Sequence, residues 1–120
     1  MKGDVIRLEF PARPEYILAV RLVVSAVAER CGFGIEDIED LKVASAEACI
    51  LLLDAQPDTI GLCITVIDGI SAVFASQGQR CAGQDSQENL SQYLLEALVD
   101  KCEIVNDGGV IIEVRFEKKP

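Results

Sequence analysis

The sequence predicts an α+β fold: a two-layer sandwich with a mixed, mostly antiparallel sheet and helices on one face, in the order β-α-α-β-β-α-β-β. Three observations predict it. Period-two alternation of apolar and polar residues recurs at 5–10, 60–66, 70–74 and 110–116. Two of the gaps between such runs carry turn chemistry, Asp68-Gly69 and Asn106-Asp107-Gly108-Gly109. Three longer stretches with helical spacing complete the pattern, two between residues 11 and 59 and one after residue 85. Hairpins dominate the strand connections, and helices gathered on one face of such a sheet give the two-layer solution.

Each element has its own reason. Val5, Arg7 and Glu9 alternate with Ile6, Leu8 and Phe10 in the first strand, which Pro11 ends. Pro14 suits the first turn of a helix. Ile17, Val20, Val23, Val24 and Val27 form that helix's apolar stripe, with Arg21, Ser25 and Glu29 on the opposite face. Cys31-Gly32 closes it. A second helix opens after Gly34 with Glu36, Asp37, Glu39 and Asp40, acids that favour the positive end of the helix dipole. Ile35, Ile38, Leu41, Ser45, Ala48 and Leu52 mark its inner side, and from Ile50 it is apolar all round, so its last turns should be deeply buried before the break near Pro57-Asp58. Ile60, Leu62, Ile64 and Val66 alternate up to the Asp68-Gly69 hairpin, and Ile70, Ala72 and Phe74 return. Residues 75–87 read as polar loop. Asp85 or Ser86 can cap a third helix whose Leu90, Leu94, Ala97 and Leu98 face inward. Ile104, the Gly-rich turn, then Val110, Ile112, Val114 and Phe116 make the second hairpin.

The 120 residues suffice for one domain, residues 1–120, and not for two separate cores. A net charge of −9 argues against nucleic acid or an anionic membrane as the main partner, because both need clustered Lys and Arg. No apolar run approaches the ~20 residues of a membrane span, and the alternating N-terminus lacks the apolar core of a secretory signal. A cytoplasmic location is expected. The five cysteines include no CxxC pair and the chain has no histidine, so zinc spacing is absent and no metal site is expected. Cys49 and Cys63 read as packing residues, while Cys81 stands in a polar loop where it is free to react.

The stretch EYILAVRLVVSAVAERCGFGIEDIEDLKVASAEAC resembles the N-terminal half of the anti-sigma-factor serine kinases, the RsbW-like branch of the GHKL (Bergerat-fold) ATPases. The likeness is densest over residues 5–49, and the order of elements agrees to the end. It implies a Bergerat-type sandwich with a lid folded over ATP, a lid that is shortened in this chain. It also implies a homodimer that holds a sigma factor inactive and phosphorylates a serine of an anti-anti-sigma partner with ATP.

The same resemblance implies a nucleotide site built from three motifs, and this chain departs from each. The first is a Glu, a general base, with an Asn one helical turn later that holds magnesium. The Glu is Glu47; the Asn position is Leu51, which has no oxygen for a hard cation. The second is Asp-x-Gly, whose Asp accepts a hydrogen bond from the adenine amino group. Here Ser76 stands for the Asp and Gly78 remains. The third is a Gly-rich loop that cradles phosphates with backbone N–H groups. The matching stretch is Glu88-Asn89-Leu90-Ser91-Gln92, without the glycines, and only ten residues separate Gly78 from Asn89. The degenerate positions are therefore Leu51, Ser76, Gly78, Asn89 and Ser91, with Glu47 a vestigial base, and neither ATP nor Mg is expected as a cofactor. The resemblance also places Arg21 on the contact surface for the sigma factor and the anti-anti-sigma factor, with Ile17 and Ser25 as its neighbours one turn either way. The bland alternative is an ordinary surface Arg21 paired with Glu29 or with an acid elsewhere, worth under about 1 kcal/mol. Three functions remain open at this point: a docking regulator without nucleotide, a divergent kinase that recruits Asp54 or Asp58 to magnesium, and a dimerising structural subunit.

Overall fold

Alternation in the first strand sends Ile6, Leu8 and Phe10 to one side and Val5, Arg7 and Glu9 to the other, and this split propagates across the sheet. The computed structural model describes residues 3–81 and 88–120, the side chains of residues 88 and 89 excepted. Its elements are β1 (Asp4–Pro11), a 3-10 turn (Pro14–Tyr16), α1 (Ile17–Arg30), α2 (Ile35–Leu53), β2 (Thr59–Val66), β3 (Ile70–Gln77), α3 (Glu88–Leu98), β4 (Lys101–Asp107) and β5 (Val110–Lys118). The five strands lie in the order β1-β2-β3-β5-β4. All four pairings are antiparallel, so the parallel component of a mixed sheet is absent among the described residues.

Register stacks the core in rows. Leu8, Leu62, Phe74, Val114 and Ile104 are cross-strand neighbours, as are Ile6, Ile64, Ala72, Phe116 and Cys102. The Phe74 and Phe116 rings stack with centroids 5.8 Å apart. The helices cover this side with Val20, Val24 and Ala28 of α1, and with Leu41, Ala44, Ala48, Cys49, Leu51 and Leu52 of α2. From Ala48 to Leu52 nearly the whole circumference of α2 is enclosed, as its apolar composition requires.

Several details differ from the sequence-based expectation. Ile35 is 82% exposed, and the inner stripe of α2 begins only at Ile38. In α3 the buried positions are Ser91 and Leu95, followed just past its end by Val99, while Leu90 and Ala97 face solvent and Leu94 and Leu98 lie at the boundary. The sequence LLEALV offers two stripes one residue apart, and packing chose the one led by Leu95. The first hairpin has three loop residues, since Val66 pairs with Ile70. Asp68 (φ +53°) and Gly69 (φ +136°) both take the left-handed region there, and a Cβ on Gly69 would crowd the Lys118 carbonyl. The second hairpin has the two-residue loop Gly108-Gly109, both at positive φ. Cys63 lies on the sheet face away from the helices, so it is not a core residue.

Lys118 joins three elements. Its ammonium donates to the Leu98 carbonyl at the end of α3 (2.7 Å) and lies 3.7 Å from Asp37 and 3.9 Å from Asp40 at the start of α2. One cation thus meets the unpaired carbonyl end of one helix and the acids of another.

Candidate functional site

Helix α2 carries Glu47 half-buried and Leu51 one turn later at 3% exposure. The two side chains share a direction along the helix, and Leu51 belongs to the continuous core. Its methyl groups contact other apolar side chains and offer no lone pair. Among the described residues no three His, Cys, Asp or Glu side chains converge into a cation site.

Ser76 stands near the end of β3 on the inner face of the sheet, paired in register with Ile60 and 4% exposed. A buried hydroxyl needs partners, and this one has two. It donates to the Ile112 carbonyl (3.3 Å) and accepts from the Arg80 Nε–H (2.7 Å). The Arg80 Nη2 also donates to the Ser76 carbonyl. Ile112 stands opposite Ser76, one step beyond the Ala75–Glu113 pair of β3 and β5, at a bulge of β5 against β4. Val105 pairs with Glu113 and Asn106 with Ile111, so Ile112 is the extra residue. The same bulge explains why Ile111, not Ile112, is buried.

Gly78 has a reason of its own to be glycine. Its φ is +93°, and a Cβ would run into the Asp58 carboxylate. That carboxylate accepts from the Gln79 N–H (3.2 Å), the Asp58 N–H donates to the Gln77 carbonyl (2.9 Å), and the Cys81 N–H donates to the Ala55 carbonyl (2.7 Å). The chain leaving β3 is thus folded back onto the α2–β2 connection. Ser91 is on the inner face of α3, 4% exposed. Asn89 falls in the first turn of α3, its side chain outside the described residues; Asp85 and Ser86, read as its caps, lie outside them too.

The other candidate region is α1. Arg21 is half-buried, and its Nε is shielded from water with no hydrogen-bond partner among the described residues; the pairing with Glu29 does not form. Ser25 is half-buried beside it, and Ile17 packs partly against the core. The outward side of the helix is more apolar than its stripe foretold, with Leu18 63% and Leu22 60% exposed. Both were missed because a leucine on a valine-rich helix reads as core by type alone. The signal that finds them is spacing: 18, 21, 22 and 25 fall on one face at three- and four-residue steps.

Comparison with known proteins agrees with this architecture. No family model matches the chain. The chain is 34% identical over 115 residues to the serine-protein kinase RsbW of Bacillus licheniformis, which covers 90% of this chain and 70% of that protein. It is 34% identical over 130 residues to the RsbW of Halalkalibacterium halodurans (91% and 80% covered) and 31% identical over 132 residues to that of Bacillus velezensis (91% and 82%). With the five-stranded antiparallel sheet and its three helices fitting a GHKL-like sandwich, the chain belongs to the RsbW-like family of anti-sigma-factor serine kinases.

Proposed function

We propose that this chain regulates by docking, binding a sigma factor or an anti-anti-sigma-like domain without using ATP. The observation that carries this reading is Leu51, 3% exposed within the core at the position where the resemblance requires a magnesium-binding amide. Ser76 supports it, because its hydroxyl is already committed to Ile112 and Arg80. These residues do not fit a magnesium-nucleotide, and no catalytic step is derived through one. Titration of the purified chain with Mg·ATP, followed by calorimetry, tests the reading: no saturable binding is expected, and micromolar affinity overturns it.

The partner surface in this reading is the outer face of α1. An arginine nitrogen already shielded from water gains a strong bond when a carboxylate reaches it, at little further desolvation cost. Leu18 and Leu22 supply apolar contact beside it. The occupant is then a protein that presents an acidic side chain among apolar ones. A homodimer belongs to the same proposal. The sheet face away from the helices has small residues at its centre, Gly61, Cys63, Val73 and Ala75, and grooves of about 430 and 590 Å³ on either side of Val73. Self-association in the cytosol through that face accounts for an uncovered apolar strip on an otherwise acidic molecule.

Two observations favour a second reading, a divergent kinase: the relatives are named serine-protein kinases, and Glu47 is retained. It needs a new magnesium ligand, and Asp58 is already bonded to Gln79. Phosphate transfer from labelled ATP to an anti-anti-sigma-like protein would establish it.

A further inference from the structure

We propose that Arg80 is a built-in ligand that closes the Ser76 end of the sheet against a nucleobase, so that the site is held shut by the chain itself. The inference rests on reading this site as one that has lost its nucleotide, and it names what took the vacated hydrogen bonds. A guanidinium is a planar fork of N–H donors. The exocyclic amino group of an aminopurine is also an N–H donor and would compete for the same acceptors. Arg80 applies its fork to two acceptors of one residue, the Ser76 hydroxyl through Nε (2.7 Å) and the Ser76 carbonyl through Nη2.

The backbone is arranged for this contact. The left-handed Gly78 reverses the chain within two residues of Ser76, and the Asp58 carboxylate holds the reversal by accepting from the Gln79 N–H. Arg80 is thereby returned over the strand end from which it departed. The Ser76 hydroxyl, in turn, spends its own proton on the bulged Ile112 carbonyl, which leaves its oxygen free only as an acceptor. A base entering here must displace a donor four residues away in sequence. That donor has a very high effective concentration and a permanent charge. Replacement of an acidic acceptor by serine and provision of an internal donor act in the same direction.

Two measurements test this on the full chain. In the first, adenosine, which needs neither magnesium nor a phosphate loop, is titrated into the wild type and R80A, with binding read from amide chemical shifts. R80A is expected to bind adenosine at least tenfold more tightly than the wild type; a smaller gain, or none detectable at millimolar adenosine, overturns the proposal. In the second, proton exchange at the Arg80 Nε is followed by NMR. Slow exchange that becomes fast in S76A supports the contact, and exchange as fast as that of a free arginine overturns it. Tight Mg·ATP binding by the wild type would instead overturn the loss of the nucleotide, so the two failures are distinguishable.

Discussion

Burial pushes the Cys49 thiol up from its ordinary 9.0 to about 12, since a thiolate there would lose its hydration inside the core. The unfolded chain releases this proton first. Stability from this group is therefore complete below about pH 9 and falls as pH rises toward about 12, by at most ~1.4 kcal/mol per unit. A C49A variant should lose much of that alkaline slope in urea titrations at pH 9 and 10.5. Thiol labelling at pH 8 should modify the exposed Cys81 before Cys49. At Leu51, restoring an asparagine should not restore a cation site. L51N places an amide among aliphatic neighbours and should cost about 2–5 kcal/mol of unfolding free energy, with no gain in Mg·ATP binding. The burial of Leu51 was legible in the sequence from the all-round apolar end of α2; that Gly78 answers to Asp58 required the fold.

At the scale of elements, α3 shows where periodicity stops discriminating. Its adjacent leucines, Leu94 and Leu95, permit two inward faces one residue apart, and only packing against α2 and the sheet selects between them. L95A should cost about 2–5 kcal/mol, whereas L90A, at a position 66% exposed, should stay within about 0.5 kcal/mol; urea unfolding of both variants decides it. Helix α1 makes the complementary case. Its core stripe was legible from valine spacing, but its outer leucines were not. R21A and L22A should each weaken partner binding at least tenfold in calorimetry while leaving the unfolding midpoint nearly unchanged, because Leu22 is 60% exposed and the Arg21 Nε has no partner among the described residues. The bulge in β5 was invisible in the sequence, since Val110, Ile112, Val114 and Phe116 alternate without interruption.

At the scale of the molecule, the described residues place three helices on one face of the sheet and none on the other. An antiparallel sheet tolerates water on one face when that face is polar. Here the middle is apolar and the rim charged: Arg7, Val73 and Glu103 lie on one cross-strand row that also contains Cys63 and Arg115. If that face pairs two copies, V73R should convert a dimer to a monomer in sedimentation while the circular dichroism spectrum stays the same. A wild-type monomer at tens of micromolar would remove the sheet face as a dimer interface.

The sequence by itself determined the strand and helix order, the two hairpins, the buried end of α2 and the family, because each is written in local periodicity, turn residues or aligned motifs. It also carries Leu51, Ser76 and a glycine-free stretch at 88–92, the residues on which the proposal of a lost nucleotide site rests. Tertiary structure alone decided which stripe of α3 turns inward, where β5 bulges against β4, and that Arg80 returns to bond Ser76. Those outcomes depend on contacts between residues distant along the chain, and free energies of packing and hydrogen bonding across elements are not encoded in the spacing of any single one.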